Sequence, residues 1–286
     1  MPLWTLYGLR QGKASTSWPK GDDGQSGLLG MPRFDPAKCQ AGCNECAAAC
    51  LPGAITMVEG AHHGPEVRLS VDYGRCVVCQ MCVEVCPTGA FTASSDWAFG
   101  VRRREDLVWV RPGERPAGDG PAGAAADSGQ REQVRSEIRR VFGRSLHIRH
   151  VDAGSCNGCE SELQALNNPF YNLHRLGMFF TPSPRFADLL LVTGPVTYAL
   201  RGPLEEAYRA MPEPRFVMAI GTCAVSGGTN GGGYACGHGL DGVLPVDIYV
   251  PGCPPNPAAI IHALLVLLRR MPQRVRQGQV TEERTA

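Results

Sequence analysis

The sequence predicts an α/β chain of two domains: a small α+β module over residues 1–110 and a parallel-sheet domain over residues 134–286, joined by a linker at 111–133. Three observations predict it. Two four-cysteine runs repeat within the first hundred residues, apolar strands alternate with helical stretches from residue 146 onward, and the intervening segment is Pro, Gly, Ala and Ser with scattered charge. A length of 286 residues suits about two domains of ~100–200 residues each, and 43% hydrophobic residues suffice for a proper core. The formal net charge of +1 offers no basic face, so no nucleic-acid partner is expected.

Taken in order, Leu3, Trp4, Leu6, Tyr7 and Leu9 stand among Arg10 and Lys13. They form either an amphipathic element lying on a membrane or partner, or an ordinary helix packed on its own domain. Residues 14–34, rich in Gly and Pro, read as an extended loop. Then Cys76, Cys79, Cys82, Cys86 and Pro87 spell C-x2-C-x2-C-x3-C-P, in which three thiolates grip one iron-sulfur cube and the fourth turns to a second. The partner run is upstream at Cys39, Cys43, Cys46 and Cys50, and the flanks repeat too: Asp35 to Cys39 answers Asp72 to Cys76, and Gly53-Ala54-Ile55 answers Gly89-Ala90-Phe91. Two half-modules, each too small for a core of its own, are expected about a pseudo-twofold axis. Crossing the fourth cysteines gives Cys39, Cys43, Cys46 and Cys86 for one 4Fe-4S cluster, and Cys76, Cys79, Cys82 and Cys50 for the other. A zinc module or disulfide framework is the alternative, but zinc favours paired C-x2-C knuckles over evenly stepped cysteines before proline.

These runs resemble the two-cluster ferredoxins, and more closely the ferredoxin-like subunits of respiratory complex I and its hydrogenase relatives. The first run departs from that pattern in having three residues between Cys39 and Cys43, and in placing Leu51 between Cys50 and Pro52. His62 and His63 fall in the turn between the halves and read as solvated, because the cysteine sets are complete without them. Arg102, Arg103 and Arg104 read as a solvated face or docking patch. Residues 111–133 cannot bury enough apolar area to offset their ordering entropy and read as a linker. A helix is expected over 136–142.

In the second domain, 146–151, 187–193, 216–220 and 247–250 read as strands, with a helix at 204–211 and a closing amphipathic helix at 258–270. Such alternation builds a parallel sheet with helices on both faces, whose ligands bind outside the carboxyl ends of the strands. Cys156 and Cys159 follow the first strand, Cys223 the Phe216–Ile220 strand and Cys253 the 247–250 strand. Glycine or proline stands beside them and marks loops, so scattered core cysteines are the weaker reading. Four thiolates converging on one rim suit a third 4Fe-4S cluster.

Leu146 through Glu160 with its Cys156-Asn-Gly-Cys159, Gly221-Thr-Cys223-Ala and Val250-Pro-Gly-Cys253-Pro-Pro-Asn-Pro resemble the small subunit of energy-conserving, formate-hydrogenlyase-type NiFe hydrogenases. That family is related to the complex I subunit holding the terminal cluster. The resemblance implies a flavodoxin-like fold, a proximal 4Fe-4S cluster on Cys156, Cys159, Cys223 and Cys253, and a fusion here of two subunits that are usually separate chains. It implies as partners a NiFe large subunit, membrane-arm subunits of a complex I-like assembly, and a formate dehydrogenase or ferredoxin donor. Cys236, in the Gly-rich 226–242 loop that lacks a P-loop Lys-Ser/Thr, reads as a spectator. His147 and His150 fall on opposite faces of a regular strand and are poor joint ligands. Glu160 and Glu162 flank the proximal site as proton relays or as helix-capping carboxylates, and Glu162 is preferred because it matches the family pattern.

The expected function is electron transfer within an oxidoreductase complex. Two ferredoxin clusters exchange electrons with a proximal cluster beside a NiFe centre in another chain, since no second pair of C-x2-C motifs is present to hold nickel. The alternatives are an iron-sulfur subunit of a complex I-like quinone reductase and a free-standing electron carrier or redox sensor. Thirteen cysteines without a signal peptide point to the cytoplasm. No apolar run approaches the ~18–20 residues of a membrane helix, so the chain is expected on the cytoplasmic face of the inner membrane, attached through its partners.

Overall fold

The computed structural model describes residues 3–12, 15–21, 25–57, 69–110 and 145–281. His62, His63, the linker at 111–133 and the expected helix at 136–142 lie outside the described residues. The chain begins with α1 (Leu3–Gln11), followed by β1 (Arg33–Phe34), α2 (Glu45–Ala48) and β2 (Ile55–Met57), and then by β3 (Leu69–Asp72), α3 (Met81–Glu84) and β4 (Phe91–Thr92). β1 pairs antiparallel with β4, and β2 with β3. Each half therefore lends a strand to the other, as the internal repeat predicts. Phe34 stacks on Phe91 at 4.7 Å across the first pair, and β5 (Val108–Trp109) extends the second.

Helices of four residues are too short to persist alone, and here tight turns hold them. Gly53 and Gly89 occupy equivalent positions at φ +61° and +64°. Their N–H groups close back on the Cys50 and Cys86 carbonyls at 2.9 and 3.4 Å, a conformation glycine adopts without steric cost.

The second half contains β6 (Leu146–Asp152), α4 (Gly158–Ala165), β7 (Met178–Phe180), β8 (Leu189–Thr193), α5 (Tyr198–Arg209), β9 (Phe216–Ile220), α6 (Gly221–Ser226), β10 (Ile248–Val250) and α7 (Pro257–Leu267). A small hairpin, β11 (Val275–Arg276) with β12 (Gln279–Val280), follows. The sheet runs β10-β9-β8-β6-β7 with every neighbour parallel. Counted among the parallel strands alone, that order is 5-4-3-1-2, the flavodoxin-like arrangement with its switch point between β6 and β8. β8 and β9 are buried at every position, as expected of central strands covered on both faces.

Three elements differ from the sequence expectation. β7 was not expected, because three residues after Gly177 carry too little alternation to register. α5 starts six residues before the expected 204, running through Pro203, which from sequence reads as a helix start. α7 is buried on all sides, not amphipathic, because the first domain covers its outer face: Trp97 meets His262 edge-on at 6.0 Å, and a Cβ on Gly100 would lie 2.7 Å from the Ala263 Cβ. Asn256 caps α7 by accepting from the Ala259 N–H at 2.7 Å, with Pro257 following at the first helical position.

Segments cross between the two domains in both directions. Trp18 packs into the apolar cluster of the second domain, and its carbonyl accepts from Arg175. Asn256 donates to Gln25 at 3.2 Å. Val101 and Tyr249 exchange backbone hydrogen bonds of 3.0 and 2.8 Å. In return, the Gly278 N–H reaches the Asp106 carbonyl at 2.8 Å, and the Gln273 amide its carboxylate at 2.8 Å. On α1, Leu3, Leu6, Tyr7 and Leu9 are exposed, Leu3 at 87%. Of the two readings of this element, the exposure disfavours a helix packed on its own domain.

Candidate iron-sulfur centres

The cysteines of the first domain separate into two sets in space, and the partition is crossed. Cys76, Cys79 and Cys82 share an apolar cavity with Cys50 of the other run, walled by Ile55, Val71, Tyr73 and Phe91. Burial pushes the Cys82 thiol up to about 12, with Cys76, Cys50 and Cys79 adding repulsion, then Cys46 of the other set. Cys76 is pushed up to about 11, mainly by burial, partly offset by the Val78 N–H that points at its sulfur from 3.4 Å. In the second set, burial and then Cys39, Cys43 and Cys86 raise Cys46 to about 11, with the Ala47 N–H opposing. Cys39 is raised by burial, Cys43 and Cys86. For Cys86 burial is outweighed by hydrogen bonds to the sulfur, from the Phe91, Thr88 and Ala90 N–H groups and the Thr88 hydroxyl, so its thiol is lowered. Ala90 N stands 3.2 Å from that sulfur.

The backbone is bent to present these thiols. Val78 and Gln80, the residues before Cys79 and between Cys79 and Cys82, have φ of 61° and 63°. For a β-branched valine this is an outlier that costs on the order of 1–3 kcal/mol, and such strain concentrates at functional sites. In the longer first run Gly42 takes the positive angle, at φ +79°. The Cys43 N–H returns to the Gln40 carbonyl at 3.3 Å, so the extra residue is absorbed in a turn.

The third set gathers at the carboxyl ends of the parallel strands. Cys156 lies in the loop after β6 and Cys159 in the first turn of α4, Cys223 is in α6 directly after β9, and Cys253 follows β10. Cys159 is raised strongly by burial, then by Glu160, Cys223, Cys253 and Cys156. Cys223 is raised to about 11 by burial, with Cys253, Cys156 and Cys236 contributing. Cys253 is raised by burial and by Cys156. Glycine clears the space around these sulfurs: a Cβ on Gly221, φ +84°, would sit 2.6 Å from Cys159 Sγ, and one on Gly228 2.9 Å from Cys223 Sγ.

The raised thiols at each place, Cys46, Cys82 and Cys159 among them, hold their protons unless a cation is there to share, and bound metal ions reverse that preference. Among the described residues no three His, Cys, Asp or Glu side chains approach closely enough to hold a single ion. Four cysteine thiols are the donor set that a 4Fe-4S cube takes.

The three sets are contiguous. Cys46 and Cys82 are both buried in one apolar cluster, which joins the first two. Thr222, beside Cys223, donates through its hydroxyl to the Cys76 carbonyl at 2.9 Å, which joins the second and third.

Around the third set, Glu160 accepts from the Thr193 hydroxyl, which is 2.9 Å from His150 Nε2. His150 Nε2 stands 3.5 Å from the Glu160 carboxylate, and burial keeps its proton affinity low despite Glu160 and Asp152. His147 instead faces Asp188 at 3.5 Å, so the two histidines serve different partners. Glu162 is half-buried and raised by burial alone. Cys236 is buried, its thiol donating to the Asn230 carbonyl at 3.0 Å. Sequence reasoning missed Thr193 and Thr222; a lone hydroxyl ending the apolar Leu189–Thr193 run was the signal for the first, and nothing marked the second.

Residues 156–267 match the family described as NADH ubiquinone oxidoreductase, 20 kDa subunit, and residues 38–90 match the 4Fe-4S dicluster domain. Over 148 residues the chain is 39% identical to "Probable membrane-bound hydrogenase subunit" of Pyrococcus furiosus, covering 52% of this chain and 88% of that protein. The chain belongs to this 20 kDa subunit family. To this family portion it adds the dicluster domain. It is also 39% identical over 142 residues to formate hydrogenlyase subunit 7 of Escherichia coli K12, half of this chain but only 56% of that relative's length. Among solved structures, a chain of the membrane-bound sulfane sulfur reductase, an archaeal respiratory membrane complex, matches 46% of this chain and 73% of its own length at 34% identity, with a TM-score of 0.42. No described helix is long and apolar enough to cross a membrane.

Proposed function

We propose that the chain is the electron-relay subunit of a membrane-associated NiFe hydrogenase complex of the formate-hydrogenlyase type, holding three 4Fe-4S clusters. The single observation that carries this reading is the row of three four-thiol sets, ordered Cys39/Cys43/Cys46/Cys86, then Cys50/Cys76/Cys79/Cys82, then Cys156/Cys159/Cys223/Cys253. The clusters supply one-electron oxidation and reduction. The chain supplies spacing, burial and N–H···S hydrogen bonds such as Ala90 to Cys86, which tune each centre. Ile55, Val71, Tyr73 and Phe91 wall the middle set with apolar side chains, and Cys82 is its buried member while Cys79 stands exposed.

The printed names of the relatives support a hydrogenase complex as the setting. The NiFe large subunit would dock where the third set opens, since Cys156 and Cys253 are the exposed members of that set. Membrane-arm subunits and a formate dehydrogenase or ferredoxin donor would complete the assembly, on the cytoplasmic face of the inner membrane. Glu162 remains a candidate proton relay.

Purification of the chain from its native membrane tests this. Co-purification with a nickel-bearing subunit and hydrogen-proton exchange is the expected result. A nickel-free complex that reduces quinone would assign the chain to the complex I-like alternative, and a stable lone chain to a free carrier.

A further inference from the structure

The second and third thiol sets meet at one side chain. Thr222 is 1% exposed. Its hydroxyl donates to the Cys76 carbonyl at 2.9 Å and accepts from the Gly252 N–H at 3.2 Å. Its own N–H donates to the Gly252 carbonyl at 2.8 Å. Through its covalent neighbours the same residue adjoins Cys223 on one side and Gly221 on the other, the glycine on which a Cβ would lie 2.6 Å from Cys159 Sγ. Gly252 in turn precedes Cys253. One hydroxyl therefore ties the backbone of Cys76, in the first domain, to the start of α6 that carries Cys223 and to the loop that carries Cys253 in the second.

We infer that Thr222 is a positioning residue that fixes the spacing and electronic coupling between the Cys50/Cys76/Cys79/Cys82 centre and the Cys156/Cys159/Cys223/Cys253 centre. This rests on the relay reading above. A hydroxyl has one proton to donate and lone pairs to accept, and both are used: the proton goes across the domain contact to Cys76, and a lone pair accepts from Gly252 within the second domain. Removing it leaves a buried carbonyl and a buried N–H without that partner, the costly kind of loss. The step it governs is the passage of one electron from a reduced centre to its oxidised neighbour, with no bond made or broken. Such transfer falls off exponentially with the gap, so a hydroxyl that closes the gap and bridges it by hydrogen bonds acts directly on the rate.

The test uses the full chain with its clusters in place, and three measurements. Iron content reports assembly, the magnetic interaction between the two reduced centres reports their spacing, and the rate of internal electron transfer reports coupling. Thr222→Val, of nearly the same shape, should keep its iron while the magnetic splitting weakens or disappears and transfer slows. Thr222→Ser should restore both. If Thr222→Val does not fold, Thr222→Ala, which leaves room for a water, is read by the same criteria. Splitting and transfer unchanged from the parent in the hydroxyl-free variant would overturn the inference, as would selective loss of iron from the third site, which would make Thr222 a residue of cluster assembly. Absence of clusters from the parent chain would instead overturn the relay reading.

Discussion

Gly221 and Gly228 hold the third site open at the scale of single residues. Gly221 combines φ +84° with a Cβ position 2.6 Å from Cys159 Sγ, so Gly221→Ala should strain the backbone by about 1–3 kcal/mol and push the sulfur aside. The expected outcome is loss of about four irons per chain, with the first-domain centres kept, read by iron analysis and electron paramagnetic resonance. Cysteine substitutions separate ligand from spectator. Cys253→Ser should lose the third cluster and loosen its domain, because ligand energy is also folding energy. Cys236→Ser should retain full iron content, since a serine hydroxyl can donate to the Asn230 carbonyl as the thiol does. Loss of a cluster in Cys236→Ser would show the ligand set to be wrong. The cysteine sets were legible in the sequence as two regularly spaced runs and as loop cysteines at strand ends. Thr222 was not, because its acceptor on Cys76 lies 146 residues away and only folding brings the two together.

At the scale of elements, α7 carries the consequence of burying a helix from both sides. Its His262 is buried, and burial, with Arg274 nearby, holds it down to about 4, against a smaller opposing pull from the Pro272 carbonyl. The unfolded chain takes up a proton near pH 6.5 and the folded chain only near 4, so the unfolded state binds more protons between those values. Stability should thus be full above pH 6.5 and fall on acidification, by about 2 kcal/mol down to pH 5. His262→Leu should flatten that slope in denaturant titrations at pH 7 and pH 5, and an unchanged slope would show that His262 is not its source. On the same interface Gly100→Val would drive a side chain into Ala263. Overpacking of that kind typically costs about 1–3 kcal/mol, visible as a lowered denaturation midpoint. The sheet was legible because buried parallel strands read as apolar runs, as in Leu189–Thr193 and Phe216–Ile220. The outer face of α7 was not, since the Trp97 and Gly100 that cover it are more than 150 residues away.

For the whole molecule, two modules pack against one another, and the proposed relay runs through both. The internal repeat of the first domain was legible from Gly53 and Gly89 as much as from the cysteines, and the crossed strand pairing follows from it. The closeness of the two domains was not, because it rests on Trp18, Val101 and the β11–β12 hairpin, short segments without periodicity. The measurement that tests the account most directly is iron and acid-labile sulfide on the anaerobically purified chain. Three cubes predict about twelve irons and as many sulfides per chain; about eight of each would remove one of the three sites, and zinc in place of iron would contradict the relay altogether.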